Sequence, residues 1–533
     1  MRWQAGALAG LAVLALACAV GVLLAPVIVD DPVVSWPRAG EQPRSTVLPL
    51  VPYRPLSLDA RVPCAALAAL DQRAEGGDAL RTLPTPAVPS DQIDLADEQS
   101  WINQGLVIGA HRGNVAITAS GATLLREVLP ASGCTYRIMA SAGWVRVLRD
   151  GEQRAAAQLQ VPEVGELSTD LEGHPAAEGL AVSLHTDARY ESRPTALKIG
   201  LLVAHGAALL VLLVLAWRWW GGRTVPIHGP SQPPLLRRTR PRAADLVLVA
   251  VSAVWVLLAP TNFDDPWYLL MARGANTSGS IGNAIYMFNV TENPFVASQY
   301  VLQAWGAVGG WDLAWMRVVP LVYGLVTWVL LRLFLVTGFG RELGTGRAVW
   351  ALLVAYLLWW LPYGMTLRPE PLIVLFAAAT LLLAEVARQR RSVGALAAAT
   401  ATAALAVSVS PSGLVAAAPL VLALPWLWAW LRGQTRVARV AAVGLLGAAG
   451  TSLVLVGFAD ATLGDVLEST AVHQRYYQTY SWYEEFVHYR TVLSLTDSSQ
   501  WARRAPVVLT IAVLVVVALS GTRRRTLSRG GGI

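Results

Sequence analysis

Long stretches without a formal charge constrain this sequence more than any other feature. Trp3–Val29 runs for 27 such positions behind Arg2, longer than the apolar core of a secretory signal peptide, and reads as a retained signal anchor. Further charge-free stretches run 199–217, 246–263, 318–331, 348–367, 371–384, 392–431, 440–459 and 505–522. About 20 residues cross the hydrocarbon once, so 392–431 must be a hairpin of two spans, turned at Ser410-Pro411-Ser412-Gly413. That makes about ten spans. Charged residues are 14% of the 533, against roughly 25% in an average soluble domain, which excludes a soluble globular enzyme.

The net charge of +7 belongs to topology. With the amino terminus inside, the inner segments (Arg2, 218–245, 332–347, 385–391, 432–439, 523–529) hold 20 Arg and three acids. The outer ones (264–317, 368–370, 410–412, 460–504) hold seven Arg and 11 acids. This is the positive-inside pattern of a multi-pass plasma-membrane protein whose basic ends face anionic lipid, and it leaves nucleic acid without support as a partner. Lys198 is the only lysine.

Residues 30–198 fall outside, after a Pro-rich entry (Pro32, Pro37, Pro49, Pro52, Pro55). Short alternating runs such as Leu106-Val107-Ile108, Tyr136-Arg137-Ile138-Met139 and Trp144-Val145-Arg146-Val147-Leu148, punctuated by Asp150-Gly151, predict an exported β-sandwich between spans 1 and 2. Cys64 and Cys134 both lie in it, on the oxidising side, either as a disulfide or as two buried thiols.

Polar residues gather on the outer side. Span 3 ends in Pro260-Thr261-Asn262-Phe263-Asp264-Asp265-Pro266-Trp267-Tyr268, two adjacent carboxylates at the membrane surface. Such a pair is costly there unless it binds a cation, shares a proton or takes one from a substrate hydroxyl; the plain alternative is a helix N-cap. Arg368 and Glu370 sit in the next outer turn, and Trp482-Tyr483 in the loop 460–504. A carboxylate to deprotonate an acceptor hydroxyl, an Arg for a phosphate leaving group and rings to stack on sugar faces would suit a sugar linked to a lipid phosphate. Each has a plainer role: Arg368 anchoring a helix end, Glu370 pairing with it, Trp482 and Tyr483 in an interfacial belt. No metal-ligand spacing or Gly-rich phosphate loop accompanies them, so no cofactor is assigned, although Asp264-Asp265 leaves room for a divalent cation.

Asp264-Asp265-Pro-Trp-Tyr-Leu-Leu-Met271-Ala272-Arg273 resembles the Asp-Asp-Gly-Tyr-x-x-x-Met-Ala-Arg segment of the Emb arabinosyltransferases of mycobacteria and corynebacteria, members of the GT-C superfamily. Further matches follow in order: Glu292-Asn293-Pro294-Phe295, Trp315-Met316-Arg317, Leu367-Arg368-Pro369-Glu370, Pro411-Ser412-Gly413 and Phe458-Ala459-Asp460-Ala461-Thr462-Leu463. The end of the exported domain, Thr186-Asp187-Ala188-Arg189 and Pro194–Ile199, looks like that of the family's jelly roll.

The resemblance implies inverting transfer of D-arabinofuranose from decaprenylphosphoryl arabinose to an arabinan or galactan acceptor of the cell wall, on the periplasmic face. It matches Asp264 to the general base, Asp265 to its partner, Glu292 to the acceptor site and Met271 to a position lining the ethambutol pocket. Tyr268, Arg273, Arg368, Glu370, Trp482 and Tyr483 complete the substrate-binding set, and homo- or heterodimers with related subunits are expected. Pro266 and Pro371 replace family glycines, Asn293 replaces an Asp, and Ala297-Ser298-Gln299 replaces an aromatic run. The organisation implied is a GT-C-like N-terminal half. It comprises span 1 (1–29), the sandwich (30–198), spans 2 and 3 with a basic cytoplasmic loop (199–263) and a first outer catalytic loop (264–317). Spans 4–9 (318–459), an outer helical loop (460–504), span 10 (505–522) and a basic tail (523–533) follow. The family's later spans, with their donor-site His-His segment, and its C-terminal carbohydrate-binding domain are not among them. Two other readings stay open: a GT-C transferase using another polyprenyl-phosphate sugar, and an inactive paralogue serving as an assembly or acceptor-binding subunit.

Overall fold

The computed structural model describes residues 2–48, 50, 53–73, 75–83, 104–130, 133–221, 241–262, 264–279, 281, 291–339, 346–421, 423–476 and the single positions 511 and 515. The expected span 505–522, the tail and Trp482-Tyr483 lie outside these residues apart from those two positions. The chain divides into two compact units, one made of Met1–Ile28, Ser192–Gly282 and Thr291–Ile533, the other of Val29–Glu191 with Asn283–Val290.

The second unit is a β-sandwich. Strands β1 (Val33–Trp36), β2 (Ser57–Pro63), β3 (Gly77–Arg81), β4 (Leu106–His111), β5 (Asn114–Ala119), β6 (Ala122–Val128), β7 (Thr135–Ser141), β8 (Trp144–Arg149), β9 (Glu152–Ala157) and β10 (Ala181–His185) form its two main sheets. One has the order β9-β8-β7-β2-β10-β1, the other β3-β4-β5-β6. Alternate residues point inward: Leu58, Ala60 and Val62 from β2, Ile108 from β4, Ile117 from β5, Tyr136 and Ile138 from β7 enter one core. Each large aliphatic side chain so buried contributes roughly 1.5–3 kcal/mol. The hairpins are set by pairs of residues with positive φ, Arg112-Gly113, Ser120-Gly121, Ala142-Gly143 and Asp150-Gly151, whose twist matches that of the strands they join. Cys64 and Cys134 form a disulfide with Cα atoms 5.2 Å apart.

The first unit is helical: α1 (Arg2–Leu24), α2 (Ala196–Trp220), α3 (Ala243–Leu258), α4 (Asp265–Ser278), α5 (Ala297–Gly309), α6 (Val318–Phe339), α7 (Arg347–Trp359), α8 (Glu370–Arg390), α9 (Val393–Val407), α10 (Arg436–Gly450) and α11 (Leu463–Tyr476), with shorter turns between. Small residues bring the helices together. Ala5, Leu8, Ala12 and Ala15 of α1, Ala208 and Ala216 of α2, Ala397 and Ala401 of α9 and Ala441, Ala442, Ala448 and Ala449 of α10 share one buried cluster. Lipid is as apolar as these side chains, so close van der Waals packing, not expulsion of water, stabilises such contacts. Side chains of Thr195, Ser392 and Thr435 cap α2, α9 and α10.

Among the described residues five helices are long and apolar enough to cross a membrane: Trp3–Leu24, Ala196–Trp220, Leu313–Phe339, Glu370–Arg390 and Arg436–Gly457. A bent pair, Pro411–Val421 with Leu424–Arg432, makes up to six. The protein is a polytopic membrane protein. The other expected spans up to 459 are helical but interrupted. Helix α3 stops at Leu258, ahead of Pro260, and α9 is 15 residues long, about 22 Å at 1.5 Å per residue. Helix α7 stops at Trp359 and gives way to a π-helical turn, Trp360–Gly364, that contains Pro362. Trp360 is buried there against Gly324 of α6, with its indole N–H donating to the Ser252 hydroxyl at 3.1 Å. That turn leads straight to the polar residues singled out above.

Candidate functional site

The adjacent aspartates part at the start of α4. Asp265 is 2% exposed and both its carboxylate oxygens are engaged by backbone. Oδ2 accepts the Asn262 N–H at 3.0 Å and Oδ1 accepts the Leu367 N–H at 2.8 Å. It therefore pins the 365–368 turn to the foot of α4, a structural task. Asp264 sits at the N-cap position without a side-chain capping bond, its own N–H held by Asn262 Oδ1 at 3.0 Å. Its carboxylate faces Arg368 Nη1 at 3.2 Å. Arg317 braces the approach to this corner: its guanidinium donates to the Val256 and Pro260 carbonyls at 3.1 and 3.0 Å, satisfying the end of α3 with a cation.

Arg368 also reaches Glu370 Oε1 through Nη2 at 2.7 Å. The side chains of Asp264, Arg368 and Glu370 are 34, 38 and 44% exposed, so solvent-screened pairs of this kind contribute at most about 1 kcal/mol each. Their value is in arrangement. Among the described residues, Arg368 Nε and Glu370 Oε2 are buried without a hydrogen-bond partner. Tyr268, one turn into α4, lies within this charge set. Its phenol is pushed up to about 12, first by burial, then by the Glu370 and Glu292 carboxylates and that of Asp264, with Arg368 opposing. Three of the sequence candidates, Asp264, Arg368 and Glu370, are thus in contact, and the Tyr268 phenol feels their charges and that of Glu292. Met271 is buried in α4 and Arg273 is exposed on it. Trp482 and Tyr483 lie outside the described residues.

Glu292 stands on a turn held from below. Asp460, 4% exposed, accepts the Asn293 Nδ2–H at 3.0 Å and the Ile281 N–H at 3.3 Å, and its charge acts on the Tyr300 phenol. Burial raises the Asp460 carboxyl despite these donors, and burial followed by the Asp460 charge raises the Tyr300 phenol well above its ordinary value. The Ser469 hydroxyl takes the Thr291 N–H at 2.8 Å and returns a bond to its carbonyl at 3.0 Å. Lys198 is fully buried, donating to the carbonyls of Val22, Ala25 and Ala461 at 2.9, 3.1 and 2.8 Å.

Sequence reasoning passed over Asp460, Tyr300, Ser469 and Lys198 as individuals. Two carried a signal: Lys198 as the sole lysine opening an apolar stretch, and Asp460 as the first charge after 20 uncharged residues. No cluster of three or more His, Cys, Asp or Glu fit to hold a metal occurs among the described residues. Of the Asp264-Asp265 pair, both Asp265 oxygens are engaged by backbone N–H groups, while Asp264 presents one oxygen to Arg368.

A family model described as "Mycobacterial cell wall arabinan synthesis protein" matches residues 193–531, more than half of the chain. The chain belongs to this family. A second model, "Arabinosyltransferase concanavalin like domain", matches residues 30–189, the sandwich of this arabinan-synthesis family member. "Probable arabinosyltransferase A" of Mycobacterium tuberculosis is 31% identical over 96% of this chain and 47% of its own length. "Probable arabinosyltransferase B" of Mycobacterium avium is 30% identical over 98% and 48%. The chain thus spans about half the length of the curated relatives it matches. The cryo-EM structure of arabinosyltransferase EmbB from Mycobacterium smegmatis superposes with a TM-score of 0.69 at 24% identity, covering 96% of this chain and 52% of that one, so the two share a fold.

Proposed function

We propose that this family member serves a membrane glycosyltransferase that moves D-arabinofuranose from decaprenylphosphoryl arabinose to a cell-wall arabinan acceptor. The reaction takes place on the periplasmic face, with the amino terminus in the cytoplasm. The observation that carries the reading is Arg368 held between Asp264 and Glu370, beside Tyr268 and within reach of the Glu292 charge. Asp264 is the more exposed member of the acid pair and takes the acceptor hydroxyl proton. The acceptor oxygen attacks the anomeric carbon from the face opposite the lipid phosphate, inverting it. The bond from that carbon to the phosphate oxygen breaks with its electron pair going to the phosphate, whose charge Arg368 receives. Asp265 holds the corner and does not exchange protons in this scheme. Neither a metal nor another cofactor enters it.

Membranes bearing Asp264→Asn, assayed with a polyprenyl-phosphoarabinose donor and an arabinofuranosyl acceptor, should lose transfer by at least about 100-fold, the weight of a general base. Activity equal to wild type would sink the assignment. Competition by other polyprenyl-phosphate sugars tests the donor. Assaying the chain alone and together with a polypeptide corresponding to the remainder of its relatives separates a self-sufficient transferase from an assembly or acceptor-binding half, and co-purification with related subunits tests dimer formation.

A further inference from the structure

We propose that Asp460 is a positioning residue for Glu292: acting through Asn293 it fixes the 291–296 turn and so sets how firmly an acceptor sugar is held, without taking part in bond making. The inference rests on the transferase reading of the site given above.

A carboxylate almost wholly removed from water persists in a fold only when donors surround it. Asp460 has them from two separate stretches of chain, the Ile281 N–H and the Asn293 carboxamide. The backbone that carries this carboxylate is itself anchored. The Ser192 hydroxyl donates to the Asp460 carbonyl, and Lys198 Nζ donates to the next carbonyl, Ala461.

The turn is gripped on both sides of Glu292. Before it, the Thr291 backbone is bonded twice to Ser469, and after it Asn293 donates from N and Nδ2 to Thr291 Oγ1 at 3.2 and 2.9 Å, as well as to Asp460. The Phe295 N–H closes the turn onto the Glu292 carbonyl at 2.8 Å. Gly457, three residues ahead of Asp460, lets the backbone pass: a Cβ there would lie 2.5 Å from Pro294 Cβ. Glu292, the residue between these anchors, is the half-buried one whose charge reaches the Tyr268 phenol. The chemistry at 293 is specific. A carboxamide donates to Asp460 at any pH, whereas an aspartate, the residue at the family's matching position, can do so only while the two carboxyl groups share a proton.

The test uses the full chain in lipid nanodiscs, with hydrogen–deuterium exchange of the 291–296 peptide and equilibrium binding of a synthetic arabinofuranosyl disaccharide, alongside transfer kinetics. Asn293→Asp should raise exchange of that peptide and weaken acceptor binding, each on the order of ten-fold, with kcat held within about two-fold. The reversed pair Asn293→Asp/Asp460→Asn restores a carboxamide facing a carboxylate and should recover both. Thr291→Val, which loses only the hydroxyl acceptor for Asn293, serves if Asn293→Asp does not fold, and should loosen the turn by a smaller factor. Unchanged exchange in these variants overturns the proposal. So does faster exchange with acceptor affinity intact, a fall confined to kcat, failure of the reversed pair to recover, or no acceptor binding by wild type. If the chain binds the acceptor yet transfers nothing from the polyprenyl-phosphoarabinose donor, the transferase reading fails, while exchange and affinity still decide the role of Asp460.

Discussion

Replacing Asp265 by Asn separates the two jobs in the acid pair. The side chain is 2% exposed and its oxygens accept from Leu367 N and Asn262 N at 2.8 and 3.0 Å. An amide keeps one acceptor and presents an NH₂ to the other backbone N–H, whichever way it turns. Losing one charge-assisted bond and stranding a buried donor should destabilise by about 3–5 kcal/mol. At roughly 2 °C per kcal/mol for a large chain, the melting midpoint falls by about 6–10 °C. Asp264→Asn instead removes one contact of an Arg368 that still has Glu370, with both groups a third or more exposed, so its midpoint should stay within about 2 °C of wild type. The assay is intrinsic tryptophan fluorescence on heating in detergent, read beside transfer activity. Asp265→Asn melting with wild type while transfer disappears would refute the reasoning, because the buried carboxylate would then have to act on substrate.

Other outcomes follow from the same geometry. Lys198→Met leaves three buried carbonyls without their donor and should cost roughly 3 kcal/mol or more, measured as earlier melting and faster proteolysis. Gly324→Ala sets a methyl group against the Trp360 ring and should destabilise by about 1–3 kcal/mol, with transfer falling because the Trp360 turn carries the chain to Arg368; an unchanged melt would count against that packing. Cys64→Ala opens a loop of sequence separation 70 and should lower the stability of the sandwich by about 4 kcal/mol, seen in urea titration with and without reductant. Tyr268→Phe should leave the shape of the pH–rate profile unchanged between about pH 6 and 9, since a phenol at about 12 keeps its proton throughout that window.

The sandwich and the membrane helices were legible because period-2 alternation and uninterrupted apolar length are local properties. Asp150-Gly151 announced its hairpin in two letters. Helix ends were less legible: 246–263 and 348–367 carry no charge, but Pro260 and Pro362 shorten the regular helix in each. Within the site, Arg368 and Glu370 are two positions apart and their pairing could be read directly, while the bond from Arg368 to Asp264 spans about a hundred residues and could not. Neighbourhood in sequence misled at Asp264-Asp265, which read as one unit and occupy different environments. The clamp on Glu292 was hidden for a related reason: Asn293 and Asp460 each stood out in the sequence, but only the fold brings them together, as it brings Ser469 to Thr291.

The buried lysine has a use in the laboratory. Apart from the amino terminus, Lys198 is the only amine the sequence offers to acylating reagents, and in the fold all three of its protons are directed at carbonyls. Labelling at this position can proceed only when the junction of α1, α2 and the 460–462 segment opens. The rate of modification of one side chain, followed by intact mass, therefore reports the opening free energy of that junction without any engineered probe.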